Sequence, residues 1–128
     1  KTLLKNSVSF RDLKEENSYH LFVMGMVAIM YENYYIKSNY ESGDGIPDLV
    51  LKPKNKRDTA FIFEFKYSRA KDSKNLKRTA KSALKQINDR NYADGLKYEG
   101  YENITKIGMG FRKKDVEVAI EIEFIIEE

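Results

Sequence analysis

The chain has 128 residues, 41% of them hydrophobic and 34% charged, which is enough for one buried core and too few for two ordinary domains. It has no cysteine and a single histidine, His20, so disulfides, thiolate metal sites and multi-histidine zinc sites are excluded, and any metal must be held by oxygen, as magnesium or manganese are. A net charge of +3 is too small to argue for nucleic acid by itself, and only the placement of the charges can do so.

Ser9 and Asp12 in "SVSFRDLKEENSYH" are suited to cap a helix, and Asp12, Glu15 and Glu16 suit its positive end. That helix is expected to run to about Met30. Its apolar part, "LFVMGMVAIMY", is about half of the roughly 20 residues a membrane span needs, so it reads as a buried helix. Glu16, His20, Val23 and Val27 recur at helical spacing and are expected on one inward face.

"YYIKSNYE" then begins like a strand, and "PDLVLK" and "TAFIFEFKYS" are strand runs joined by the turn "PKNKRD", which predicts a hairpin. From Lys71 the pattern turns helical, with Leu76, Ala80, Ala83, Leu84 and Ile87 as an apolar stripe. Lys74, Arg78, Lys81 and Lys85 fall on a different face. Between the two faces lies an uncharged strip of Asn75, Thr79, Ser82 and Gln86. "ITKIGMGF" and "VEVAIEIEFII" close the chain as strands, the last one predicted to turn its valines and isoleucines inward and an acidic face to water. The order is helix, three strands, helix, two strands. A helix between strands favours a parallel crossover while the hairpin is antiparallel, so the sheet is expected to be mixed.

Alternation along "FIFEFK" puts Glu64 and Lys66 on one side of a strand and Phe63 and Phe65 on the other. If Asp48 starts the paired strand, its carboxylate approaches Glu64, and two converging carboxylates resist double ionisation unless a cation joins them. Magnesium takes one or two protein carboxylates and keeps waters, leaving room for a phosphate oxygen and an attacking hydroxide. Lys66 beside such a site could orient the water or neutralise charge on a phosphate. Gln86 borders the core side of the second helix within possible reach of the site, and the Lys74, Arg78, Lys81, Lys85 face could meet a nucleic-acid backbone.

"IPD" at 46–48 followed by "EFK" at 64–66 resembles the signature of the PD-(D/E)XK nuclease superfamily, and the αβββαβ order with one further strand is similar to its core. "ENSYHLFVMGM", "SNYESGDGIPDLVL", "FEFK", "ALKQI", Tyr92 and "IGMGF" together resemble the nuclease-like domain found C-terminal to AAA-ATPase-like proteins. The resemblance implies an α/β, restriction-endonuclease-like fold with a central mixed sheet flanked by helices. It also implies cleavage of nucleic acid, DNA before RNA, by a Mg²⁺-activated water, with Mn²⁺ able to substitute. Asp48 and Glu64 match the metal ligands, Glu16 the acid of the first helix that often completes the metal site, Lys66 the catalytic lysine, Gln86 a glutamine of several branches, and Tyr92 a weaker companion. One departure is that Ile46 and Pro47 follow Gly45 where the narrower group often has a Gly-Arg-x-Asp run.

Each residue also has a plainer reading. Asp48 after a proline is a common strand entry, Glu64 and Lys66 could form a solvated cross-strand pair, and the helix dipole already accounts for Glu16. Gln86 could be a surface amide, His20 a hydrogen-bonded structural residue, and the basic face merely solvated. Isolated charges in so apolar a strand nonetheless favour a site. The expectation is one nuclease-like domain over 1–128, cytoplasmic and not membrane-bound, open to having been cut from a longer ATPase-containing protein because the chain starts at Lys1. A non-catalytic module that keeps the fold and binds nucleic acid or a partner is the alternative.

Overall fold

A computed structural model describes residues 18–38, 47–68, 74–112 and 115–124. They form helix α1 (Ser18–Met30), strands β1 (Tyr34–Ser38), β2 (Leu49–Pro53) and β3 (Ala60–Tyr67), helices α2 (Lys74–Asp89) and α3 (Ala93–Tyr98), and strands β4 (Asn103–Arg112) and β5 (Asp115–Phe124). The strands make one sheet in sequence order, antiparallel at every pair except β3 with β4, which are parallel. The mixed sheet, the hairpin and the helical crossover stand as expected.

Alternation along β2 and β3 builds two cores, one on each face of the sheet. Leu49, Leu51, Phe61, Phe63 and Phe65 join Met109 and Phe111 on one face, where Phe22, Met26 and Met30 of α1 cover them. Val50, Ala60, Ile62 and Ile104 lie on the other, under Ile87 of α2 and Leu96 of α3. Burial on both sides explains why these strands read as nearly continuous apolar runs.

Two glycines decide how close α2 comes. A Cβ on Gly108 would sit 2.4 Å from the Ala80 carbonyl oxygen and the Leu84 nitrogen, and one on Gly110 would sit 2.8 Å from the Leu76 carbonyl oxygen. The helix backbone therefore rests directly on β4, which only residues without side chains permit.

Three expectations shift. The inward line of α1 is Phe22, Met26 and Met30, and Val27 is half-buried beside it, while the side chains of His20 and Val23 lie outside the described residues. "LFVMGMVAIM" is apolar on all sides, so periodicity alone could not select its buried face. Helix α3 was not foreseen, being short and carrying Gly95. It follows Asn91, whose φ of 54° closes α2 while the Tyr92 N–H donates to the Ile87 carbonyl at 3.1 Å.

The third correction concerns β5. Its acidic side faces Lys106 and α2, with Ala119 and Glu123 half-buried and Glu117 and Glu121 still exposed, and Val116, Val118, Ile120, Ile122 and Phe124 are 40–69% exposed. The reason is Lys106, which is 6% exposed on β4. Its ammonium donates to Asn88 Oδ1 at 2.7 Å and pairs with Glu123 at 2.6 Å and Glu121 at 3.4 Å, and Glu123 also pairs with Lys97. A buried ammonium requires carboxylates on its own side of the sheet, and strand alternation then sends the apolar set outward.

Candidate active site

Asp48 enters β2 directly after Pro47, which is fully buried, and the β2/β3 register of Leu49 with Phe63 places Asp48 opposite Glu64 when carried one residue further. The Phe65 N–H donates to Asp48 Oδ2 at 2.7 Å, which fixes the carboxylate against β3. Glu64 is 7% exposed and occupies the α2 face of the sheet, with Lys66 two residues on and half-buried on the same face. Across the parallel pair, Glu64 lies beside Gly108 and Lys66 beside Gly110. The glycines that admit α2 therefore stand next to the two site residues of β3.

That close approach delivers Gln86. Its Nε2 donates to Glu64 Oε2 at 2.5 Å and lies 3.5 Å from the Tyr92 hydroxyl. Tyr92 reaches this position because the left-handed Asn91 turns the chain back into the core. Glu64 Oε1, by contrast, is buried and has no hydrogen-bond partner among the described residues. Leaving such an atom unsatisfied is unfavourable, so it marks a position where a further ligand is wanted.

The electrostatics agree with the geometry. Burial, and then the nearby Asp48 charge, push the Glu64 carboxyl from 4.5 to about 7, against the opposing pull of the Asp48 backbone, Lys66 and Arg90. Asp48 is exposed as a whole, but its carboxyl is tucked under the Phe65 amide. Partial desolvation raises its pKa, while the Phe65 N–H and Lys66 work the other way. Both acids are disfavoured in their charged forms by burial, and Glu64 also by the Asp48 charge, more than Lys66 and Arg90 offset, so a cation would suit the site.

Among the described residues no group of three or more His, Asp or Glu side chains could hold a metal. The pair Asp48 and Glu64 nevertheless fits a hard divalent cation. Both offer oxygen, one of these oxygens is buried and unpartnered, and magnesium commonly takes two carboxylates and fills its remaining positions with water. Glu16 lies outside the described residues.

The structure brings Asp48, Glu64, Lys66 and Gln86 together, with Tyr92 behind Gln86. The basic face divides. Arg78 lines an open groove of about 600 Å³ with Lys66, Asn75, Thr79 and Ser82, whereas Lys81 and Lys85 are exposed and do not line it. Lys85 is paired with Asp89 one turn on. The side chain of Lys74 lies outside the described residues. Sequence reasoning overlooked Arg90, whose charge acts on Glu64. It follows the end of α2 and belongs to no periodic pattern, so only folding relates it to β3. The glycine pair was legible as an interruption of a buried strand, which is how a close backbone approach shows itself in sequence.

A family model described as the PD-(D/E)XK nuclease superfamily matches residues 14–121. No curated protein and no solved structure gives a significant match.

Proposed function

The chain belongs to the PD-(D/E)XK nuclease superfamily, and from that premise we propose that it is a divalent-metal-dependent nuclease that hydrolyses phosphodiester bonds of DNA. The observation that carries the reading is the unpartnered, buried Oε1 of Glu64, a carboxyl within electrostatic reach of Asp48, with Lys66 on the same side of the sheet.

Asp48 and Glu64 would hold Mg²⁺, or Mn²⁺ in its place, and a divalent ion there supplies Lewis acidity and an activated water. The chain's own residues prepare that site. The Phe65 amide holds Asp48 in one orientation, and Gln86 occupies Glu64 Oε2, so that Oε1 is the oxygen left for a ligand. Gln86 is in turn placed by α2 and by contact with the Tyr92 hydroxyl. Lys66 contributes a fixed positive charge that favours the ionised form of both acids and offsets negative charge building on a phosphate as it is attacked. Burial of Glu64 limits competing water and strengthens these interactions.

The sequence resemblance supports an ATPase-like domain as a companion in a longer chain. Among the described residues no helix is long and apolar enough to cross a membrane.

Incubation of the purified protein with linear and circular DNA in Mg²⁺ or Mn²⁺ tests the reading. Cleavage is expected with either metal, suppression by chelator, and a loss of at least about 100-fold in Asp48→Ala and Lys66→Ala proteins, the scale of removing one preorganised charged group. Cleavage that persists in both variants overturns the assignment of these residues. DNA binding with no cleavage in any divalent metal points to the non-catalytic module instead.

A further inference from the structure

The strip Asn75, Thr79, Ser82 and Gln86 has a place in the fold that the carboxylate chemistry does not explain. The spacing of four, three and four puts the residues on one line along α2, about 16 Å from end to end at 1.5 Å per residue. One side of the line is the buried face of Leu76, Ala80, Ala83 and Ile87, and the other is the cationic face with Arg78. Its first three members line the 600 Å³ groove together with Lys66 and Arg78, and its last member holds Glu64. The strip therefore runs from an open groove to the candidate carboxylates.

The chemistry of the groove selects its occupant. Among the described residues its lining carries two cations and no acid. An amine or metal ligand would call for carboxylates, whereas guanidinium, ammonium, amide and hydroxyl groups suit phosphate and sugar oxygens. The Thr79 hydroxyl already donates to the Asn75 carbonyl at 3.0 Å, so it presents lone pairs to the groove, and Asn75, Ser82, Arg78 and Lys66 are donors there.

We propose that this strip is the track for the sugar–phosphate backbone of the substrate strand flanking the scissile phosphate. Arg78 contacts a phosphate as a cation, Asn75 and Ser82 donate to backbone oxygens, and Gln86 marks where the track meets Asp48 and Glu64. The inference rests on the nuclease reading above. Groups of this kind recognise backbone and carry no base information, so the groove contributes affinity without sequence preference.

The test measures binding of fluorescent single-stranded and duplex DNA of two unrelated sequences to the cleavage-deficient Asp48→Asn protein over a range of salt. In that background Arg78→Gln is expected to weaken binding and lower the slope of log affinity against log salt by about one. Ser82→Ala and Asn75→Ala are expected to weaken binding about 3- to 10-fold with the slope unchanged, in the range of one lost neutral hydrogen bond. The losses should be the same for both sequences. In the metal-activated reaction the same substitutions should act mainly on KM. Lys54→Gln, at the far β2–β3 turn, controls for net charge and should leave affinity within about twofold. All these positions face solvent or the open groove, and a thermal melt checks that the fold is kept. DNA binding and cleavage that are indifferent to Arg78→Gln and Ser82→Ala overturn the track and leave the nuclease reading standing. Losses that differ between the two sequences overturn the claim of backbone recognition. A wild-type protein that neither binds nor cuts DNA removes the nuclease reading and the track with it.

Discussion

Replacing Glu64 with glutamine removes a charge while keeping the shape and the oxygen that accepts the Gln86 amide. In the folded protein this carboxyl titrates at about 7 rather than 4.5, which corresponds to roughly 3 kcal/mol of differential interaction. The sign follows from which state releases its proton first. As pH rises past 4.5 the unfolded chain ionises while the folded protein keeps its proton, so stability falls until about pH 7 and the penalty is then constant. Glu64→Gln carries no such penalty. Without divalent metal, the variant should gain less than about 1 kcal/mol at pH 5 and about 2 to 3 kcal/mol at pH 8. In a domain of this size the latter is a rise of roughly 10 °C in Tm.

Urea titrations in chelator at both pH values measure the difference through the midpoint, provided the m value is unchanged. Mg²⁺ should then stabilise the wild type at pH 8 more than the variant, because binding to the folded state adds stability only where the ligand oxygens are kept. An equal gain at pH 5 and pH 8, or a variant less stable at both, would refute the claim that Glu64 is held in an unfavourable charged state. Stability that rises at pH 8 while DNA cleavage disappears is the signature expected of a residue kept for chemistry.

Gly108→Ala should destabilise by about 2 kcal/mol or more, because its Cβ meets helix backbone at 2.4 Å and neither element can yield cheaply; thermal unfolding checks this, and a neutral result would mean α2 does not rest on β4. Lys106→Met should destabilise by about 1 kcal/mol near pH 7, because it removes ion pairs to Glu121, which is half exposed, and to Glu123, which keeps Lys97. Hydrogen bonds from Lys106 and Lys97 hold the Glu123 carboxyl below its usual value, so this stabilisation is present above the ordinary carboxylate range and lost as pH falls through the depressed one. Denaturation of the Lys106→Met protein should therefore converge on wild type in acid, and a gap that stays constant with pH would rule out the ion pairs as its source.

Period-two patterning in "DLVLK" and "AFIFEFKY", with a short polar turn between them, was enough to determine the hairpin and to set Glu64 and Lys66 on one face with Asp48 opposite. The helical stripe of Leu76, Ala80, Ala83 and Ile87 determined the buried side of α2, and with it the side on which Gln86 lies. These are local facts, because the position of a side chain on a strand or helix follows from backbone geometry within a few residues. What the tertiary structure decided depends on partners far apart in the chain. β5 reversed its expected faces because Lys106 on the neighbouring strand needed acids. The buried side of α1 was chosen by the aromatic residues of β3. The strip on α2 acquired a groove only when Lys66 came to lie against it, and Glu64 Oε1 became an unpartnered atom only when Gly108 and Gly110 let the helix close over the sheet. Sequence periodicity can place a charge on a face, but burial and pairing arise from what packs against that face, and that is a property of the assembled fold.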